Sequence, residues 1–185
     1  MIKELIERHR GYIDDIDWWD DVEEKFKAGM AEIGLRVDRI YFSGFSSQGD
    51  GACFEGAVDH WGKLLHAMGV KTNPVMVEFL QENATAQLIH RGRYYHEHSI
   101  QFDLYVPEPD EEWSGYTDQL RAAAWVALAT YDYESLRNDL MEFCRDKMLD
   151  LYDKLEAEYD YLTSDEAVWE FIIANDLCKQ ERDAA

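Results

Sequence analysis

The sequence predicts an α+β protein: a small antiparallel sheet of about three strands packed with helices, followed by a C-terminal helical arm. Three observations carry that reading. Apolar residues recur at three- and four-residue steps toward both ends of the chain, the helical period. Between these stretches lie β-branched and aromatic runs, one of them strictly alternating. Hydrophobic residues make up 46% of the 185 residues and aromatics 14%, enough to build a core within one domain. The expected organisation is a single domain over 1–185: helical 1–34, a sheet-containing core 35–106 and helical 115–180.

Residues 2–9 read as a short helix ended by Gly11. Asp17 is an N-cap candidate for a longer helix, with Trp19, Val22, Phe26, Met30 and Ile33 on one face and Gly34 as its C-terminal glycine. Val37–Phe45 reads as a strand and Ala52–Val58 as its antiparallel partner. They are joined either by a two-residue turn at Asp50-Gly51 or by a longer loop from Ser46. His60–Met68 is a short helix carrying Trp61, Leu64, Leu65 and Met68. Asn73-Pro74 starts another, expected to run to about Ile89 and stop near Gly92.

Tyr94–Val106 alternates apolar and polar residues and reads as the clearest strand. Pro107, Pro109 and the surrounding acids, with Trp113, mark a loop. A close-packed helix is expected around Leu120, Ala123, Ala124, Ala127 and Leu128. A long helix starts near Tyr133, its stripe being Leu136, Leu140, Phe143, Met148, Leu151, Leu155, Tyr159 and Leu162. Thr163 and Glu166 match a capping box opening a last helix, and the tail KQERDAA is expected to fray.

Charge sets the functional expectation. Asp and Glu number 39 against 18 Lys and Arg, a formal net charge of -21. A folded body so acidic repels nucleic acid and anionic membrane and attracts basic protein surfaces. Two groups of acids stand out. Asp139, Glu142, Asp146, Asp150, Asp153 and Asp160 lie near one side of the long helix, opposite its apolar stripe. Asp14, Asp15, Asp17, Asp20, Asp21, Glu23 and Glu24 form a second cluster, with Trp18 beside Trp19 within it. Carboxylates at three- and four-residue steps are about 5–6 Å apart, comparable to phosphates along a nucleic-acid strand. The plain alternative is a merely solubilising surface. Trp18, Trp19, Tyr95, Tyr105 and Trp113 are candidate interface anchors wherever they are exposed.

The three cysteines, Cys53, Cys144 and Cys178, show no CxxC spacing, which fits a reducing cytoplasm rather than a disulfide framework. The charged N-terminus does not read as a signal peptide, and no apolar run reaches the roughly 18 residues of a membrane span. Cytoplasmic localisation in a bacterial host cell and no membrane partner are therefore expected.

Phe42–Ala52, FSGFSSQGDGA, is the most unusual stretch. Its loop amides have the makings of an anion cradle, but no lysine follows and Asp50 opposes an anion. The plain reading is a glycine-rich hairpin. The functional one is a recognition loop formed by Ser46, Ser47, Gln48 and Asp50. Three blocks, FSGFSSQGDGACFEG, RGRYYHEHSIQFDLY and LEAEYDYLTSDEAVWEFI, resemble a family of small acidic bacteriophage and prophage proteins, some labelled antitoxin-like. The resemblance implies a phage setting and supplies no catalytic residues.

His96 and His98 share a face of the expected strand, and a zinc site with Cys53 or His60 is conceivable; core or edge histidines are commoner. Glu55, Glu97 and Asp103 would serve as acid or base only if gathered in a cleft. The expectation is a non-enzymatic protein without cofactor or metal. It would be a phage-type inhibitor whose acidic rows mimic nucleic acid and block a host protein's basic nucleic-acid-binding surface, such as that of a CRISPR effector or restriction enzyme. It would not bind nucleic acid directly. An antitoxin-like protein neutralising a small basic partner is the second expectation. An enzyme using the glycine loop and sheet histidines is the third. A homodimer through the helical arm is compatible with the pattern.

Overall fold

A computed structural model of the chain describes residues 2–106, 122–123, 126 and 133–178. Its contacts group into two compact units. One comprises Lys25–Tyr152, the other Met1–Glu24 together with Asp153–Ala185. The fold is α+β, as the periodicities predict, but among the described residues the antiparallel sheet has four strands rather than three.

In the larger unit the sheet order follows the chain, β1 (Leu35–Phe42), β2 (Ala52–Val58), β3 (Thr85–His90) and β4 (Ile100–Tyr105). Phe54 of β2, Leu88 of β3 and Phe102 of β4 are buried, and the register places Gly56 opposite Leu88 and Leu88 opposite Phe102. That alternation gives the sheet one dry face. Helix α2 (Asp20–Glu32) contributes Phe26, whose ring lies 5.7 Å from that of Phe54. Helices α3 (Trp61–Ala67) and α4 (Pro74–Asn83) bury Trp61, Leu64, Leu65, Met76, Phe79 and Leu80. Burying each such side chain is worth about 1.5–3 kcal/mol.

Two glycines are fixed by close backbone approach. Gly34 ends α2 with φ +87°, and its carbonyl accepts from the amides of Asp59 (3.0 Å) and His60 (3.1 Å). A methyl there would strike the His60 carbonyl. Gly56 lies against the Arg36 carbonyl across the β1–β2 pairing, where any Cβ would overlap it.

Several expectations need correction. Helix α2 begins at Asp20, not at an Asp17 cap. The helix from Pro74 stops at Asn83, whose side-chain amide donates back to the Phe79 carbonyl (2.9 Å). The residues up to Ile89 that continued its period instead form β3, because strands wait on both sides to pair with them. β1 runs over Leu35–Phe42 rather than Val37–Phe45. β4 starts only at Ile100; the alternation over Tyr94–Ser99 belongs to a loop ending in a 3-10 turn, Glu97–Ser99. The expected helix around Leu120 and Leu128 is described only at Ala122, Ala123 and Val126, helical and exposed. The Pro107–Trp113 loop and the tail lie outside the described residues.

Helix α5 (Tyr133–Leu162) matches its predicted start. Its buried stripe is Leu136, Leu140, Cys144, Met148, Leu151 and Leu155. Cys144 rather than Phe143 fills the third position, and Phe143 is half-buried at the edge of the stripe.

In the smaller unit α1 (Ile2–His9) packs on α6 (Asp165–Ala174) through Ile6, Val168 and Ile172. The α-helix ends at His9, as expected, and a 3-10 helix over Arg10–Asp15 follows it. Tyr12 stacks on Phe171 at 4.1 Å and donates to the Leu162 carbonyl (3.2 Å). Arg10 bridges Glu7 (2.7 Å) and Asp165 (2.5 Å). The cap of α6 is Ser164, whose hydroxyl accepts from the Ala167 amide (3.2 Å), and not Thr163. Thr163 instead donates to the Tyr159 carbonyl (2.8 Å), closing α5. Among the described residues, no helix is long and apolar enough to cross a membrane.

Candidate protein-binding surface

Helix α5 holds its acids in a row. At about 100° per residue, Asp139, Glu142, Asp146 and Asp150 fall within an arc of about 80°; Asp153, on the same helix, belongs to the smaller unit. All five are exposed. The buried stripe centres about 150° away around the same helix, and no lysine or arginine of α5 enters the acidic arc. From Asp139 to Asp150 the row is about 16 Å long. A row of like charges on a fully formed helix is ordered by the buried stripe behind it, since Leu136, Leu140, Cys144 and Met148 have no exposed surface.

The row does not stand alone. Asp139, Glu142 and Asp146 edge an open groove of ≈ 510 Å³ whose other wall is Met68, Gly69, Val70 and Lys71, with Phe143 between. The Lys147 ammonium lies 5.1 Å from the centre of the Phe143 ring, so that ring already receives one cation. An apolar floor beneath a carboxylate rim suits a long side chain with a charged tip, such as arginine or lysine. Sequence reasoning found the rim and missed the opposite wall, because no pattern links residues 68–71 to a helix seventy residues later.

The second cluster belongs to the smaller unit. Asp14, Asp15, Asp17, Asp20, Asp21 and Glu24 are exposed around the 3-10 turn and the first turn of α2. The acids at the start of α2 are favoured by its dipole. Trp18 is half-buried, edge-on to Trp19 at 5.8 Å and tilted against Tyr159 at 5.7 Å, so it packs locally and keeps part of its surface in solvent.

The Phe42–Ala52 stretch is a nine-residue loop, Ser43–Gly51, between β1 and β2. It closes with a Ser47–Asp50 turn (3.1 Å) and a Ser43 amide bond to the Gly51 carbonyl (3.0 Å), not with a turn at Asp50-Gly51. The Asp50 carboxylate accepts from the amides of Ser46 (3.0 Å) and Ser47 (2.6 Å), so these donors are spent internally rather than offered to an anion. Ser46, Ser47 and Gln48 are exposed. Phe45 and Tyr152 rings meet at 5.5 Å, and the Tyr152 hydroxyl donates to the Gly44 carbonyl (3.3 Å), which anchors the loop on α5.

The histidines have local tasks. His60 caps α3 by accepting from the Lys63 amide (3.3 Å), and His96 accepts from the His98 amide (3.1 Å). His96 and His98 meet edge-on at 5.8 Å in a loop, not on a shared strand face. Burial pushes the thiols of Cys53 and Cys144 up to about 12. Glu55 accepts from the His90 amide (3.0 Å) and the Tyr41 hydroxyl (2.9 Å), and these donors hold its carboxyl below the usual range. Among the described residues, no three His, Cys, Asp or Glu side chains converge as a metal site.

Against known proteins, neither the curated sequences nor the solved structures contain a significant match. A family model does match, and its span from residue 18 to residue 165 takes in the sheet, the loop and the whole of α5. The chain therefore belongs to the family described as Domain of unknown function (DUF8835).

Proposed function

We propose that this protein is a non-enzymatic inhibitor of phage type, acting in the bacterial cytoplasm by occupying the basic nucleic-acid-binding surface of a host protein. A defence complex such as a CRISPR effector or restriction enzyme is the target class. The observation that supports the reading is the α5 row. Four carboxylates share a narrow arc that no lysine or arginine of α5 enters, on a helix held in place by a wholly buried stripe. The spacing of about 5–6 Å lets successive acids meet successive lysines and arginines of a groove built for phosphates. The second cluster, with Trp18, adds charge and a partly exposed ring of the kind that anchors interfaces.

The groove beside the row favours a second reading, an antitoxin-like protein that neutralises a small basic partner. There a single arginine or lysine would insert against Phe143 while Asp139, Glu142 and Asp146 pair with its charge. The two readings separate on partner identity and on competition. The deciding experiment is capture from nuclease-treated bacterial lysate, salt-gradient elution, identification of the partner, and displacement by duplex DNA. Displacement supports the mimic; a stoichiometric small partner indifferent to DNA supports the antitoxin-like reading.

A further inference from the structure

A second surface of opposite character lies on the larger unit, at the β1–β3 side of the sheet and the loop after β3. Its residues are Arg39, Tyr41, His90, Arg91, Arg93, Tyr94 and Tyr95. In a chain with 39 acids, Arg39, Arg91 and Arg93 are exposed, and among the described residues none has a carboxylate within 4.0 Å. Arg10 and Arg36, by contrast, are paired with neighbouring carboxylates.

Rings accompany the guanidinium groups. Tyr41 stacks on His90 at 4.8 Å and on Tyr95 at 5.4 Å, with Arg39 over its ring at 5.8 Å. Tyr94 stacks on His96 at 6.1 Å, with Arg93 over its ring at 5.8 Å. Tyr94 is 56% exposed and Tyr95 37%, so each ring keeps open surface.

The platform is fixed rather than floppy. The His90 ring bonds the Tyr94 carbonyl (2.9 Å), and the Arg91 amide donates to the Ser99 carbonyl (2.7 Å). Glu55 ties Tyr41 and the His90 amide together, which spends both of its carboxylate oxygens. Glu97 lies 3.4 Å from the His98 ring.

We infer that this platform binds a nucleotide unit, its base stacked on Tyr94 or Tyr95 and its phosphate held by Arg91 and Arg93. Guanidinium forks match phosphate oxygens in two-point geometry, and every base offers a face to an aromatic ring. The net charge of -21 opposes an anion at long range. At physiological salt that opposition is screened beyond about 8 Å, so the local arginines decide. The site is independent of the acidic row and acts whether or not that row meets a protein.

The chemistry is shared by a free mononucleotide and by a single strand, and one titration distinguishes them. A fluorescent oligothymidylate is titrated with the full chain at about 150 mM NaCl, where the net charge is screened beyond about 8 Å, and then competed with AMP. Binding that AMP reverses assigns a mononucleotide site; binding that AMP leaves intact assigns a strand site. Either supports the proposal if Arg91→Ala with Arg93→Ala, and separately Tyr94→Ala, each weaken it about tenfold or more. Glu78→Gln, exposed on α4 and part of neither surface, must leave it unchanged. No binding by the wild type, equal binding of polyglutamate, or full binding by the arginine and tyrosine variants overturns the inference.

Discussion

Replacing Glu142 by Gln and Asp146 by Asn should make the protein more stable. Neighbouring carboxylates in the row lie about 5.5 Å apart, and unit charges at that distance in water repel by about 0.75 kcal/mol. At 0.15 M salt, where the screening length is about 8 Å, roughly half of that remains, about 0.4 kcal/mol per pair. The double substitution removes the pairs Asp139–Glu142, Glu142–Asp146 and Asp146–Asp150. Among the described residues, neither Glu142 nor Asp146 has an ion-pair partner that would be lost. Helix propensity changes little. The expected gain is about 1.2 kcal/mol, which raises Tm by about 2–5 °C for a chain of this size. In 1 M salt, with a screening length near 3 Å, the gain should shrink to about a third. Thermal unfolding followed by circular dichroism at the two salt concentrations reads both numbers. A lower Tm for the variant, or a gain indifferent to salt, would refute the reasoning, because the row would then be holding the fold together. A gain would mean that the acids are retained at a cost to stability, which points to a binding role.

Gly56→Ala should cost more than about 3 kcal/mol, since its methyl overlaps the Arg36 carbonyl and the β1–β2 pairing must part; denaturant unfolding measures it. Glu55→Gln should cost about 1–2 kcal/mol at neutral pH. Glu55 is held below its unfolded value, so its contribution is present above that value and is lost as pH falls through the folded one. The wild-type–variant difference in urea midpoint should therefore vanish in acid. Under native conditions a thiol reagent should label Cys178 and spare Cys53 and Cys144; all three should label in denaturant. Because burial raises the Cys53 and Cys144 thiols to about 12, the stability they confer is complete below the unfolded thiol value and lost as pH rises toward 12. Unfolding midpoints should therefore drop above about pH 9.

The long helix was legible because its apolar period persists over eight turns and nothing local contradicts it. Ala52–Val58 was legible because its residue types and its boundaries agree. β3 was not, since Ala84 and Leu88 continue the period of α4 at four-residue steps and only the waiting edges of β2 and β4 decide the matter. The alternation from Tyr94 misled for the opposite reason. It is real, but it begins six residues before a partner strand is available, and the rings stack on one another instead. The acidic rim was readable from spacing on one helix. The groove was not, as its second wall comes from a turn remote in sequence. The basic-aromatic platform escaped notice because net charge hid it and because Arg39 reaches it only through the sheet.

The central claim is that carboxylates held on α5 compete for cationic grooves. Its most direct measurement is retention of the captured bacterial partner on immobilised wild-type protein and on Glu142→Lys/Asp146→Lys/Asp150→Lys, across a salt gradient with and without duplex DNA. The expected result is release from the wild type below about 0.5 M NaCl, displacement by DNA, and no retention on the reversed row. Retention that persists above that salt, ignores DNA and survives charge reversal would contradict it.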